Sequence, residues 1–279
     1  MAESGFVEVP GARLYYEVEG SGHPLLLLHG NLGSLRMLDD QVGPLSERYQ
    51  VIRYDRRGFG QSRTEHVSFS ERSDAVAVLR HAQASASSCH LIGQSMGGIV
   101  ALDLTIERPQ MVDSLVLVAA GAGGYRAELP DGVQPPPFGE MERALEAKDW
   151  DRLAELETEV WVDGWGQPPT RIDPALRTRV HDWILTTYRE ENEEGDPQRL
   201  DPPANARLAE VRVPTLVLVG TADEPGGVLN GRHVAQVVQG AQLEEFDAAH
   251  MIQLEQPDRF NRVVLDFLAG VEGRHARDT

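Results

Sequence analysis

The feature that most constrains the fold is a repeated alternation of short, continuous apolar runs with helix-forming stretches. The runs are "PLLLLHG" (24–30), "VIRYD" (51–55), "CHLIG" (89–93), "SLVLVAA" (114–120) and "PTLVLVG" (214–220). They are apolar on both faces, which suits strands covered by helices above and below. Helical stretches fall at 34–48, where Gly43-Pro44 should introduce a kink, at 70–83, 96–108, 228–239 and 257–269. The last opens with Pro257 at a favourable first-turn position. "FVEVP" and "RLYYEVEG" around Pro10-Gly11 read as an opening hairpin, and "QLEEFD" (242–247) as the last strand. Alternation of this kind predicts an α/β fold with a mostly parallel sheet and helices on both faces.

Between 123 and 206 the rhythm changes. Strand-like runs vanish, prolines cluster, and helical text such as "MERALEAKDWDRLAELETEV" takes over. A chain of 279 residues is near the upper limit for one hydrophobic core. The expected organisation is therefore a core of residues 1–122 and 207–279 carrying a helical cap, 123–206, as an insertion. All four tryptophans (Trp150, Trp161, Trp165, Trp183) fall in that insertion and are expected mainly to hold its helices together.

The net charge of −18 disfavours nucleic acid and anionic membranes as partners. The acidic run "REENEEGD" (189–196) lacks calcium-loop spacing and reads as solvated surface, so no metal is expected. A single cysteine, Cys89, rules out an internal disulfide and is expected to be buried and inert. With no apolar leader in "MAESGFVEVPGARLYYEVEG" and no run long enough to span a bilayer, the expected address is the cytoplasm.

The chemistry centres on Gly93-Gln94-Ser95-Met96-Gly97, a G-x-S-x-G between an apolar strand and a helix rich in small residues. Serine between glycines also occurs in ordinary turns. The strand before and the helix after turn the motif into a candidate nucleophile, because a helix N-terminus there favours a developing oxyanion. Asp223, just past "TLVLVG", and His250, just past "QLEEFD", then follow in the order Ser, Asp, His. Both stand at the strand ends where open parallel sheets gather ligands. Glu224 competes with Asp223 for the acid role, and His29, before Gly30 at another strand end, suggests a structural hydrogen-bonding role.

On "LLLLHGNLGS", "VIRYDRRGFGQS", "LIGQSMGG", "LVLVGTADEP" and "AAHMIQLEQPDRF", the chain resembles the α/β-hydrolase superfamily over its whole length outside the cap. The resemblance is nearest to the carboxylesterase and enol-lactonase branch. It implies an ester or lactone hydrolase with catalytic Ser95, Asp223 and His250, an oxyanion hole from the backbone N–H groups of Asn31 and Met96, and no cofactor. A receptor keeping the triad with little turnover, a perhydrolase and a carbon–carbon bond hydrolase are the alternatives it leaves. "HGNLGS" and Met251 depart from the carbon–carbon hydrolase pattern. A carboxylate-bearing substrate would need a free cation near the site. Arg56 and Arg57 are expected to be tied to neighbouring acids, which leaves Arg36 and Arg126, so the expected substrate is a neutral, apolar small molecule. Oligomeric state is not legible in the sequence.

Overall fold

The computed structural model describes residues 3–82 and 87–278, with the backbone path alone for 274–278. The chain opens with the antiparallel pair β1 (Glu3–Val9) and β2 (Ala12–Glu19), turning at Gly11 with a φ of 71°. The strands β3 (His23–Leu28), β4 (Tyr49–Tyr54), β5 (Arg63–Thr64), β6 (Ser68–Phe69), β7 (Cys89–Gln94), β8 (Val112–Val118), β9 (Asp196–Pro197), β10 (Thr215–Gly220) and β11 (Gln242–Phe246) follow. The main sheet runs β1-β2-β4-β3-β7-β8-β10-β11, with β5 on β2, and every pairing from β4 to β11 is parallel.

The order reverses between β3 and β7. From β3 the chain steps outward to β4, then returns to β7 and proceeds toward β11. At such a switch point the loops beyond neighbouring strands part, leaving a crevice at the carboxyl ends. The crevice here lies between the loop after β3 and the turn after β7.

Helices cover both faces. α1 (Asp39–Ser46) and α9 (Pro257–Asp278) meet Leu25, Leu27, Ile92, Val116 and Leu218 on one side. α2 (Glu71–Ala82), α3 (Met96–Glu107) and α7 (Pro225–Val237) meet Leu26, Leu28, Leu91, Leu117 and Val217 on the other. The split of Leu25 and Leu27 from Leu26 and Leu28 is the period-two alternation of a strand inside an unbroken apolar run.

Several boundaries differ from expectation. The stretch 34–48 splits into a 3₁₀ turn, Leu35–Leu38, and the short α1. Pro44 sits inside α1 and cannot donate to the Asp40 carbonyl one turn back. Asn261 Nδ2 of α9 donates to that oxygen instead, at 3.1 Å. α7 begins at Pro225 rather than 228, because the Glu224 carboxylate accepts from the Gly226 and Gly227 N–H groups and starts the helix early. α9 runs past 269 to Asp278. α2 ends at Ala82, and the expected end at 83 lies outside the described residues.

Between β8 and β10 the chain forms α4 (Phe138–Glu146), α5 (Trp150–Glu157) and α6 (Pro174–Glu190), with a π-helical turn over Thr158–Gly164. One strand does occur here, correcting the expectation of none: β9 pairs with β6. Ala154, Val162, Val180 and Ile184 of this segment form one apolar cluster with Leu32, Met37, Met251 and Leu254 of the loops after β3 and β11. α8 (Ile252–Glu255) is the single turn leading into α9. Cys89 is buried, and burial pushes its thiol pKa well up. Among the described residues no helix is long and apolar enough to cross a membrane.

Asn261→Leu removes the donor that replaces the proline's missing N–H. The expected cost is about 1–2 kcal/mol of stability, read as a lower urea midpoint with unchanged slope. An unchanged midpoint would mean that water serves the Asp40 carbonyl equally well.

Candidate active site

Ser95 follows β7 directly, with φ 51° and ψ −120°, a region that non-glycine residues rarely occupy. Surrounding hydrogen bonds hold it there. Its N–H donates to the Val118 carbonyl at 2.9 Å, and its carbonyl accepts from Gly98 and Ile99 at 2.9 and 3.1 Å. The flanking glycines are required by close approach. A Cβ on Gly93 would lie 2.4 Å from the Gly97 carbonyl oxygen, and one on Gly97 would lie 2.3 Å from that of Leu28. The turn is therefore pressed against the end of β3. Gly30, beyond that strand, is so near that a Cβ there would stand 3.0 Å from Ser95 Cβ. The Met96 N–H belongs to the first turn of α3, where no intrahelical acceptor exists.

β10 and β11 deliver the other two groups. Their loops stay zipped past the strand ends, with Thr221 N–H donating to the Phe246 carbonyl at 2.8 Å and Ala222 N–H to that of Ala248 at 3.0 Å. His250 Nδ1 lies 2.8 Å from Asp223 Oδ2, and both side chains are buried. With Nδ1 donating to the carboxylate, Nε2 keeps its lone pair. The Glu224 carboxylate turns away to cap α7, which separates the two acids that the sequence left in competition. Burial opposes charge on His250, but the charge and hydrogen bond of Asp223, helped by the Glu224 charge, outweigh it. The imidazole pKa is held above its ordinary value.

The loop after β3 is braced by a chain of polar contacts. Arg56 N–H donates to His29 Nε2 at 2.9 Å, leaving Nδ1–H to donate to the Gly30 carbonyl at 2.6 Å. Burial and the Arg56 charge push the His29 pKa down to about 3, so the ring is neutral and structural. The Arg56 guanidinium binds Glu71 and donates to Asn31 Oδ1 at 2.8 Å, fixing the residue expected to supply the second oxyanion donor. Arg57 pairs with Asp74 at 2.6 Å. Arg36 pairs with Glu17 and Asp39 on the outer surface, and Arg126 is exposed. Neither is a pocket cation.

Sequence reasoning missed the part played by the segment between β8 and β10. The Trp161 ring packs on the His250 ring with centroids 4.8 Å apart, and the Trp161 carbonyl accepts from His250 N–H at 3.2 Å. Arg171 grips Glu255 with both terminal nitrogens, at 2.6 and 3.0 Å, and donates to the Val162 carbonyl at 2.8 Å. Glu255 Oε1 also accepts from Ala249 N–H, next to His250, at 2.7 Å. Trp150 stacks on Tyr188 and Trp165 donates to the Gln134 carbonyl, contacts within the segment, whereas Trp183 packs on the cluster it shares with Leu32, Met37 and Met251. Nothing in the local text around residue 161 distinguishes it from the other three.

Asn31 and Met96 each line a cleft. Asn31, Phe59, Trp150 and Tyr188 line one of about 390 Å³. Met96, Ile99 and Leu200 line another of about 300 Å³, with Arg199 at its edge. Among the described residues, no group of three or more His, Cys, Asp or Glu side chains could hold a metal ion.

A family model described as "Alpha/beta hydrolase family" matches residues 25–263. The 3-oxoadipate enol-lactonase 1 of Acinetobacter baylyi is 26% identical, covering 94% of this chain and 95% of its own. The 2-hydroxy-6-oxononadienedioate/2-hydroxy-6-oxononatrienedioate hydrolase of Escherichia coli is 29% identical and covers 96% of each chain. A thermophilic esterase from Thermogutta terrifontis shares the fold, with a TM-score of 0.76 at 24% identity, covering 96% of this chain and 99% of that one.

If Asp223 orients His250, Asp223→Asn should lower turnover by roughly 10⁴. Glu224→Gln should leave turnover near normal and cost about 1 kcal/mol of stability through the weakened cap. Reversed effects in steady-state kinetics and thermal melts would reassign the acid.

The raised His250 pKa gives opposite signs for activity and stability. A base must be neutral, so activity should rise with pH through a midpoint above about 6.5. Folding favours the protonated ring, so its stabilising contribution is complete below about pH 6.5 and fades as pH rises through the folded pKa. A kcat/KM profile flat from pH 5 to 9 would exclude a histidine base.

Proposed function

This chain belongs to the alpha/beta hydrolase family, and on that premise we propose that it is a serine hydrolase of small-molecule carboxylic esters or lactones. One observation carries the reading: a serine in a strained turn at a helix N-terminus shares a sheet edge with a buried, carboxylate-paired histidine. Ser95 Oγ attacks the carbonyl carbon while His250 Nε2 takes its proton, and Asp223 stabilises the imidazolium. The N–H groups of Met96 and Asn31 meet the oxyanion. His250 returns the proton to the leaving alkoxide, forming the acyl-enzyme. Water, losing a proton to the same nitrogen, then releases the acid.

In this reading α4 to α6 act as a cap whose clefts select the substrate. The similar enol-lactonase acts, by its name, on a carboxylate-bearing lactone, but the charges here favour neutral esters. Arg36, Arg56 and Arg57 are each paired with acids. Arg199 lies within the fields of Asp103 and Glu194, so its edge of the cleft is not a net cation. Neither a receptor role nor carbon–carbon bond cleavage gains support from any particular residue.

Ser95→Ala should fold normally and lose on the order of 10⁴ to 10⁶ in the rate of p-nitrophenyl butyrate hydrolysis. More than a tenth of wild-type activity in the folded variant would put the nucleophile elsewhere. Wild-type binding without multiple turnover would support the receptor. A neutral ester should be cleaved with higher kcat/KM than its ω-carboxylate analogue, a gap that narrows with salt. A carboxylate preference would overturn the neutral-substrate assignment.

A further inference from the structure

Asp103 is a buried carboxylate without a use. It lies on α3 two turns beyond Met96, is 7% exposed, and makes no hydrogen bond or ion pair among the described residues. Its Oδ1 is sealed from solvent with no partner. Arg72, the nearest candidate to neutralise it, is committed to Glu107 and to the Gln198 carbonyl. A buried carboxylate left without hydrogen bonds calls for an explanation, because the Arg72 and Arg199 charges offset its desolvation only in part.

Oδ1 is sealed, so a ligand can meet only Oδ2, the oxygen that carries the residue's remaining exposure on the cleft it lines. Met96, Ile99 and Asp103 recur at helical spacing along one face of α3 and form one wall. Leu200, Pro203 and Gly124 form the opposite wall, and Gly124 is in near contact with Pro203, where a Cβ would stand 2.8 Å from its ring. The cleft is mostly apolar, and its lining includes both Met96, the residue after Ser95, and the Asp103 carboxylate. Eight residues of helix separate Ser95 from Asp103, about 12 Å along the axis. At roughly 1.2 Å per bond, an extended chain of about ten bonds spans that distance.

We infer that this cleft binds the long apolar arm of the ester, and that Asp103 accepts a hydrogen bond from a neutral donor, a hydroxyl or amide N–H, near the arm's far end. Rejection of an anion follows from the carboxylate. Arg199, whose guanidinium lies 3.8 Å from Met96 Sδ at the cleft's edge, is balanced by Asp103 and Glu194 and gives an anionic arm no net attraction, and the neutral donor follows from the neutral substrate proposed above. Burial raises the Asp103 pKa to about 6 against the pull of Arg72 and Arg199, so above neutrality the group is an ionised acceptor. The inference rests on Ser95 as the reacting centre for its direction, but the binding site itself does not.

The test compares p-nitrophenyl decanoate with p-nitrophenyl 10-hydroxydecanoate at pH 8, with the acetate ester as a control for the chemistry. Wild type should prefer the hydroxylated chain by about tenfold in kcat/KM, as expected for a hydrogen bond to a charged acceptor. Asp103→Leu should remove the preference and leave acetate turnover unchanged. Leu200→Trp, which fills the cleft, should depress both long esters and spare the acetate, and it serves if Asp103→Leu fails to fold. A wild-type ratio near one, or one that survives Asp103→Leu, overturns the inference and leaves the carboxylate to trapped water. Calorimetry on Ser95→Ala with ethyl decanoate and ethyl 10-hydroxydecanoate reads the same ratio as Kd. An absent turnover with an intact, Asp103-dependent Kd ratio would therefore sink the hydrolase reading and keep the site.

Discussion

The geometry of the site depends on how closely the start of α3 approaches the ends of β3 and β7. Gly97 lies against the Leu28 carbonyl and Gly93 against Gly97 and Gly98, with no side chain between, and Ser95, within this packed turn, sits outside the usual backbone regions. Everything chemical is then a neighbour of that contact. The free N–H groups of the helix face the crevice, Gly30 lies against Ser95, and the strand order reverses at this place. The strain is local, and the bonds to Val118, Gly98 and Ile99 hold the turn in that shape.

Charge is organised around the same edge. The chain carries 44 acidic residues, and its buried arginines are each matched to one or more of them. Arg53, Arg56 and Arg57 bind Glu17, Glu71 and Asp74 and so fix the two loops that follow β3 and β4. Arginine suits this work because its planar fork satisfies a carboxylate and a carbonyl at once. Arg171, shared between Glu255 and the Val162 carbonyl, is an example.

What the sequence made legible was local in origin. Continuous apolar runs gave the strands, and the G-x-S-x-G spacing gave the turn, because each reflects short-range backbone demands. Asp223 was favoured over Glu224 in the sequence but not separated from it, since neighbouring acids differ only in which way their side chains leave the loop. It took the N–H groups of Gly226 and Gly227 to draw Glu224 off. Trp161, Arg171 and Asp103 were also missed as a group. Each matters through a partner far along the chain or a cavity wall, and neither leaves a periodic mark.

The contact between Trp161 and His250 removes a freedom this architecture is often given. The helices over the site do not merely rest on a finished catalytic edge, because one of their carbonyls and one of their rings complete the surroundings of the histidine, while Arg171 reaches the loop that carries it. On the mechanism proposed above, the cap and the base share parts. An exchange of α4 to α6 for those of another chain would then dismantle the packing around His250, unless the residues at 161 and 171 travelled with it. Divergence in substrate range is then channelled toward the cleft walls, which can vary without disturbing the edge where proton transfer would occur.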